Sequence, residues 1–241
     1  MVKHEFIGIH GQALRQQIEC LLGANGYDVL YSDDMERYVA EMDRLEAFVH
    51  PRFRAAHNDQ SESRFIAIMK DDRFCGMIAW TVIETHSYER LLRDGTAFVR
   101  DPWAHDWKPM NVRLPEKIAG RIHFRGGLRV VDQGNRFSWF LTSLHEAFFH
   151  DDRADYLTAH ATPEIVASGL PAWLYGYHHR FEMPRHRLSW EGRWNNLSIL
   201  WSTPPEIAHN VEIKTMFLRR REDDDLLKSV GVFKRLHVAE V

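Results

Sequence analysis

The stretch that decides the fold is Gly126-Gly-Leu-Arg-Val-Val-Asp-Gln-Gly-Asn-Arg-Phe-Ser-Trp-Phe-Leu141. With the residues before it, its first part predicts a strand over 120–131, in which Gly126 and Gly127 indicate a bulge or a close backbone approach. A polar turn follows, and a helix begins near Ser138. The apolar residues of that helix recur at one-turn spacing and predict one buried face: Phe137, Phe140, Leu141, Leu144 and Phe148.

A turn that leads into a helix N-terminus is suited to binding an anion. The first N–H groups of a helix have no partner within the helix, and the helix dipole places partial positive charge there. Gly134 lies in this turn and lets the backbone approach a ligand closely. The pattern therefore predicts either a phosphate site made of turn amides or a purely structural turn without a ligand.

The segments around this stretch predict a mixed sheet covered by helices. The clearest strand pair is a hairpin, Arg64–Lys70 and Phe74–Glu84, with Asp71-Asp72 as its turn. Both strands are apolar on both faces, which is typical of the middle of a covered sheet. The other predicted elements are helices at 12–22, 35–49 and 163–168 and strands at 27–31, 155–161, 173–187 and 197–201. This order indicates an α/β or α+β fold around a mixed sheet.

The turn and the order of the elements resemble the GNAT-type N-acyltransferase superfamily, which depends on acyl-CoA. In that family a strand runs into a turn of pattern Gln/Arg-x-x-Gly-x-Gly/Ala, whose amides bind the pyrophosphate of CoA. Here Gln133 matches the first position, and Ser138 stands in as a small residue for the last. Arg136 occupies the place of the central glycine, and the turn is about two residues shorter, although an arginine at this point can itself pair with a phosphate.

The resemblance implies a GNAT-like core in a single domain over residues 27–203, with a helical N-terminal extension (1–26) and a C-terminal tail (204–241). It implies direct transfer of an acyl group from acetyl-CoA or another acyl-CoA to an amine of a small molecule or peptide. The residues that it places at the cofactor are Leu128, Val130, Gln133, Gly134, Asn135, Arg136, Phe137 and Ser138.

The resemblance also places the catalytic groups. His123, on the strand before the turn, or His160, on the next strand, is the expected base, since imidazole titrates near neutral pH. Tyr175 or Tyr177 is the expected acid, and Glu116 is a weaker alternative base. Each of these residues also has a structural interpretation: the histidines as hydrogen-bonded strand residues, the tyrosines as packing aromatics.

A metal-dependent hydrolase is the rival prediction, because His145-Glu146-Ala-Phe-Phe-His150 resembles a zinc motif with one residue too many. At about 100° per residue, two histidines five positions apart lie about 140° apart on a helix and cannot bind one ion together. Glu146 and His150 could do so with Asp151 or His160. We expect no metal and interpret His145 and His150 as surface residues on the outer side of the helix.

The composition excludes several classes of protein. Lys and Arg number 31 against 34 Asp and Glu, so the formal charge of −3 argues against a broad nucleic-acid binder. The longest nearly apolar run, 74–83, is too short for a membrane span, and no signal-peptide pattern precedes it. Cys20 and Cys75 are interpreted as reduced core thiols of a cytoplasmic protein.

The sequence leaves three further questions open. A loop as long as 85–118 is typically functional or mobile, and its Trp103 and Trp107 fit a pocket wall, an interface or a lid equally well. The arginine at the central motif position also fits a non-catalytic acyl-CoA-binding or protein-interaction module on the same fold. Whether the chain forms a homo-oligomer is not decided by any motif.

Overall fold

The computed structural model describes residues 2–105, 107–131, 136–149, 152–183, 186–188 and 193–219. The helices in this part are α1 Val2–Ala24, α2 Met35–Arg44, α3 Tyr88–Asp94, α4 Phe137–Phe149, α5 Pro163–Ala167, α6 Leu170–Trp173 and α7 Pro204–Arg219. The strands are β1 Asp28–Ser32, β2 Ser63–Lys70, β3 Arg73–Thr85, β4 Gly120–Val130, β5 Tyr156–Ala161, β6 His179–Glu182, β7 His186–Leu188, β8 Arg193–Asn195 and β9 Ser198–Ser202.

Seven strands form one mixed sheet in the order β1-β2-β3-β4-β5-β9-β6, and β7 and β8 form a separate hairpin. Within the sheet β4 and β5 are parallel, while every other neighbouring pair is antiparallel. The parallel pair is joined through α4, as a parallel crossover requires. The predicted α/β fold with a mixed sheet is confirmed.

Helices cover both faces of the sheet, so its central strands are apolar on both sides. We call the side packed against α2, α3 and the segment 95–118 the α2 face, and the side packed against α1, α4 and α7 the α4 face. Side chains of β2 alternate between them: Phe65 and Ala67 join the core of the α2 face, and Ile66 and Ile68 that of the α4 face. This alternation explains the continuous apolar pattern of the hairpin.

Two local predictions about β3 and β4 are confirmed. Asp71 and Asp72 both have positive φ, 49° and 59°, as the two central residues of a tight hairpin turn require. The register between β3 and β4 shifts between Met77 and Ala79, which marks a bulge at the paired glycines. Gly127 has φ 58°, and a Cβ there would lie 1.7 Å from the hydroxyl of Tyr38, so the position requires glycine.

Other boundaries differ from the predictions. α2 ends at Arg44 rather than near Val49, because Glu46 adopts a left-handed conformation with φ 50°. The predicted strand 173–187 was wrong in its first part: α6 and a turn occupy residues 170–178, and β6 begins at His179. Part of the segment assigned to a tail, 204–219, is helix α7, whose buried Ile207 and Val211 join the core of the α4 face.

The segment 85–118 packs against the sheet for much of its length. It contains α3, and Phe98, Trp107 and Ile118 are buried in the core of the α2 face. Cys20, expected in the core, is exposed, since it lies on the outer side of α1. No helix in the described part of the chain is both long and apolar enough to cross a membrane.

Candidate active site

The parallel strands β4 and β5 separate near the middle of the sheet. Their pairing runs from Ile122 opposite Tyr156 to Arg125 opposite Ala159 and stops there, although β4 continues to Val130 and β5 to Ala161. This separation opens the sheet and leaves the β5-facing edge of residues 126–130 without a strand partner among the described residues, although the carbonyl of Gly127 accepts a hydrogen bond from the hydroxyl of Tyr38.

A cavity of about 460 Å³ fills this gap and reaches both faces of the sheet. On the α4 face its wall includes Ile78, Arg125, Leu128, Thr142, Ala159, Ala161, Tyr175, Tyr177 and Leu200. On the α2 face it includes Met42, Ala47, Phe48, His50, Phe98, Phe124, His160 and Leu197. One predicted cofactor position, both candidate acids and one predicted base therefore meet in one cavity: Leu128, Tyr175, Tyr177 and His160.

On the α2 face the polar groups form a chain of neutral hydrogen bonds. The N–H of Arg52 donates to Nδ1 of His50 at 3.2 Å, so the proton of the neutral His50 ring is on Nε2. Nε2 of His50 lies 3.3 Å from Nδ1 of His160, and Nε2 of His160 lies 3.2 Å from the hydroxyl of Tyr88. Burial lowers the pKa of His50 to about 3, which keeps this ring uncharged at neutral pH.

On the α4 face Arg125 fixes the turn that carries the two tyrosines. Its Nε donates to the hydroxyl of Tyr177 at 3.0 Å, and its Nη2 donates to the carbonyl oxygen of Tyr175. The Tyr177 hydroxyl in turn donates to the carbonyl of Thr158 at 3.4 Å, and burial raises the pKa of Tyr177 to about 12. The hydroxyl of Tyr175 makes no hydrogen bond with the described residues, and this side chain is half-buried at the cavity wall.

Arg125 also belongs to a buried ionic cluster with Glu146 and Lys214. Glu146 accepts from Nζ of Lys214 at 2.7 Å, and its other oxygen lies 3.8 Å from Nη1 of Arg125. All three side chains are buried. Two cations against one carboxylate leave an excess of positive charge beside the cavity. Burial is the main cause that lowers the pKa of Lys214, with Glu146 opposing it.

The prediction that His145 lies on the surface was wrong. Both His145 and Glu146 are fully buried, because His145 packs against Trp80 of β3 and His123 of β4, and Glu146 pairs with Lys214 of α7. Nε2 of His145 lies 3.3 Å from Nδ1 of His123, whose Nε2 lies 3.1 Å from a carboxylate oxygen of Asp152. His123 therefore belongs to a separate buried cluster and does not line the cavity.

The remaining metal candidates, His150 and Asp151, lie outside the described residues. Within the described ranges no three His, Cys, Asp or Glu side chains are grouped as metal ligands. Glu116, the alternative base, accepts a hydrogen bond from the indole N–H of Trp201 and does not line the cavity.

The predicted cofactor turn is described at its two ends only, because Gln133, Gly134 and Asn135 lie outside the described residues. Arg136 has φ 54°, a left-handed conformation that favours glycine, and its carbonyl accepts the N–H of Trp139 at 3.0 Å at the start of α4. Phe137 is buried, Ser138 is half-buried, and Val130 pairs with Gly76 of β3. The backbone at Arg136 thus adopts a conformation that glycine takes up more readily than residues with a side chain.

The two tryptophans of the segment 95–118 have different environments. Trp107 is buried, and its indole N–H donates to the carbonyl of Arg93 at 3.1 Å, whereas Trp103 is 66% exposed. Neither lines the cavity, so the prediction that they form a pocket wall does not hold for this cavity.

Two polar residues of the cavity, His50 and Arg125, were not predicted from the sequence. Arg125 had a recognisable signal: a strand covered on both faces cannot hold an arginine unless it has a buried partner. His50 had none, because it lies between α2 and the strands in a segment without periodicity, next to Pro51. Its role depends on a contact with β5 that lies more than a hundred residues away in the chain.

The comparisons with known proteins concern the fold. No family model and no curated sequence matches the chain. Among solved structures it is similar to FeeM, an N-acyl amino acid synthase from uncultured soil microbes, at a TM-score of 0.45 and 10% identity, over 81% of this chain and 99% of that one. NAA60 of Arabidopsis thaliana in complex with acetyl-CoA gives 0.44 and 9%, over 73% and 99%.

The spermidine N-acetyltransferase of Vibrio cholerae in complex with CoA and spermine gives a TM-score of 0.43 at 9% identity, over 76% of this chain and 98% of that one. These structures have the GNAT fold, the architecture that the sequence resembles. At such low identity the likeness is one of fold.

Proposed function

Starting from its GNAT-type fold, we propose that this chain is an acyl-CoA-dependent N-acyltransferase of the cytoplasm that acts on an amine of a small molecule or peptide. The observation that carries the proposal is the cavity at the point where β4 and β5 separate. It combines the edge of β4 that lacks a strand partner among the described residues, a tyrosine hydroxyl and a buried arginine, which together suit the polar transition state of acyl transfer.

The acyl-CoA would lie along β4 with its pyrophosphate at the start of α4. This helix has thirteen residues, long enough for its N-terminus to favour an anion. Arg136 sits at that end and can pair with a phosphate. The proposal assigns the remaining predicted positions, Leu128, Val130, Phe137 and Ser138 with the turn 133–135, to the same cofactor. The unpaired edge of 126–130 would then face the thioester.

In the proposed reaction the amine nitrogen attacks the thioester carbonyl carbon and forms the new C–N bond. The C–S bond then breaks, and the thiolate of CoA leaves with the bonding electron pair. The attacking nitrogen loses one proton, and the thiolate gains one. The charge that develops on oxygen and sulfur is stabilised by main-chain N–H groups of β4 and by the excess positive charge at Arg125.

Of the two tyrosines, Tyr175 is the better acid. The proton of Tyr177 is donated to a main-chain carbonyl, and its oxygen already accepts from Arg125. Tyr175 has no such hydrogen bond among the described residues and lines the cavity. Burial raises the pKa of Tyr175, so the hydroxyl keeps its proton at neutral pH until the thiolate forms.

Of the two histidines, His160 is the base that the cavity favours, since His123 lies in the buried cluster with His145. Both ring nitrogens of His160 are engaged in the resting state, one with His50 and one with Tyr88. A proton taken up by this ring must displace one of these hydrogen bonds. We therefore assign His160 a smaller kinetic contribution than Tyr175.

The test starts with binding. Calorimetry with CoA and acyl-CoA species on the full chain should show binding, and an acyl-CoA should raise the melting temperature. With a panel of amines and a thiol reagent that detects released CoA, Tyr175→Phe should lower kcat by about 10²-fold or more while CoA binding stays unchanged. The matched Tyr177→Phe variant should lower kcat less. Absence of binding of every CoA species at millimolar concentration would refute the proposal.

A further inference from the structure

We propose that the transferred acyl group has a hydrocarbon tail of about eight carbons or more, which lies in the half of the cavity on the α2 face. This inference rests on the proposed function, and it adds the class of acyl donor. Its basis is the size of the cavity and the way in which polar groups are divided between its two halves.

The cavity is far larger than an acetyl group needs. Its volume of about 460 Å³ is in the range, about 300–1,000 Å³, of pockets that bury drug-sized ligands. A two-carbon acyl group at the gap between β4 and β5 would leave most of this space unfilled. Extended apolar space without a ligand loses dispersion contacts on its walls, so a cavity of this kind is best filled by hydrocarbon.

The half on the α2 face is lined mainly with hydrocarbon, and the two charged residues that also line this side, Glu46 and Arg129, are exposed. Its wall contains Met42, Ala47, Phe48, Phe98, Phe124 and Leu197. The two imidazoles in this wall do not change that character, because His50 and His160 direct their ring nitrogens to Arg52, Tyr88 and each other. A polar amine in this half would find its hydrogen-bonding needs unmet, whereas a methylene chain has none.

The half on the α4 face has the opposite character. Arg125, Thr142 and Tyr175 line it, and the unpaired edge of β4 lies beside them. These groups suit the thioester, the leaving sulfur and the amide-containing arm of CoA. An acyl-CoA whose arm lies on the α4 face therefore passes its acyl tail through the gap in the sheet to the α2 face.

The far end of the apolar half opens to solvent beside Phe48. This side chain is 57% exposed, which is unusual for a phenylalanine, and it lines the cavity. A tail longer than the cavity would leave along this ring. Phe48 thus extends the apolar wall to the surface, next to the exposed Glu46, which also lines the cavity.

The test compares dissociation constants of CoA, acetyl-CoA, octanoyl-CoA and decanoyl-CoA with the full chain by calorimetry, and needs no acceptor. Each methylene buried should tighten binding about fourfold. Octanoyl-CoA should therefore bind at least about a hundredfold more tightly than acetyl-CoA, even if only part of its tail is buried. Equal affinity for the two would overturn the inference and leave the proposed function standing, whereas failure of CoA itself to bind would refute that function.

Ala47→Phe places a ring in the apolar half and should remove the gain for octanoyl-CoA, while the dissociation constants of CoA and acetyl-CoA change less than about twofold. Ala47→Leu should remove part of the gain and covers the case in which the larger ring prevents folding. Ala24→Phe, at an exposed position on the end of α1, is the matched control and should change nothing. If octanoyl-CoA keeps its full advantage in a folded Ala47→Phe protein, the tail does not lie in this half.

Discussion

Two buried polar clusters face each other across the gap between β4 and β5, and they are built on different principles. On the α2 face, His50, His160 and Tyr88 form a neutral chain of hydrogen bonds. On the α4 face, Arg125, Glu146 and Lys214 form an ionic cluster with more positive than negative charge. The neutral cluster needs no charged ligand, whereas the ionic one stabilises negative charge that develops beside it.

The difference also predicts how much stability is lost when one member of each cluster is removed. Removing one member of a neutral chain leaves a donor or acceptor unsatisfied, which costs about 1–3 kcal/mol. Removing one member of a buried ionic cluster leaves a full charge without compensation, which costs about 3–5 kcal/mol. Variants at Glu146, His50 and Arg90 are therefore expected to differ in stability.

The largest effect is expected for Glu146→Ala. It leaves the cations of Arg125 and Lys214 buried together without their carboxylate, so the free energy of unfolding should fall by about 3–5 kcal/mol in urea titrations at pH 7. The double variant with Glu146→Met and Lys214→Met should recover a large part of this loss, since no unpaired charge at these two positions remains. A double variant as unstable as the single one would contradict the ionic explanation.

A smaller effect is expected for His50→Phe. The phenyl ring keeps the aromatic contacts with Phe98 and Phe124, but Nδ1 of His160 and the N–H of Arg52 lose their partner. The free energy of unfolding should fall by about 1–3 kcal/mol at pH 7. A loss as large as that of Glu146→Ala would show that the neutral chain carries charge.

The same variant should change the pH dependence of stability. The pKa of His50 is about 3 in the folded chain, against 6.5 for the ordinary imidazole of the unfolded chain. Between these values the unfolded state binds more protons, so stability falls as the pH decreases from about 6.5 towards 3, by up to about 1.4 kcal/mol per pH unit. His123 and His145, whose pKa values burial also lowers, act in the same direction.

Urea titrations at several pH values between 6.5 and 4.5 check this expectation. The slope of stability against pH should be shallower in His50→Phe by up to one proton. An unchanged slope would mean that His50 is already protonated in the folded chain, contrary to the hydrogen bond that it accepts from Arg52.

The smallest loss of stability is expected at an exposed ion pair, which serves as the reference for the buried ionic cluster. Arg90 and Asp94 form an ion pair at 3.3 Å on the surface of α3, with side chains 78% and 40% exposed. Because water screens this pair, Arg90→Ala should change the free energy of unfolding by less than about 0.5 kcal/mol. A change comparable to that of Glu146→Ala would show that burial is not what distinguishes the two pairs.

Much of the fold was predictable because it depends on local patterns. The hairpin 64–84 follows from two runs of β-forming residues around Asp71-Asp72, and the bulge follows from Gly126-Gly127. The start of α4 follows from the spacing of its apolar residues. The second half of the predicted strand 173–187 was right in part, but its start was wrong, since an apolar run with tyrosines and glycine fits a turn equally well.

The candidate site was predictable in part. Leu128, His160, Tyr175 and Tyr177 lie at one cavity, and each had been named from the resemblance to the GNAT-type superfamily. His145 was expected on the surface, because a pattern of period 3.6 identifies one buried face and cannot show that this ring packs against β3 and β4 or that Glu146 pairs with Lys214 of α7. His50 carried no signal at all.

The sequence by itself determined which segments are strands and helices at the centre of the fold and where the backbone requires glycine, because these depend on neighbours within a few residues. The tertiary structure alone decided that the sheet opens after Arg125 and that His50 meets His160 on the α2 face. The tertiary structure also decided that Glu146 is buried with two cations. Such contacts join positions far apart in the chain. Their energies depend on burial of the charged groups, which only the packing of the elements creates.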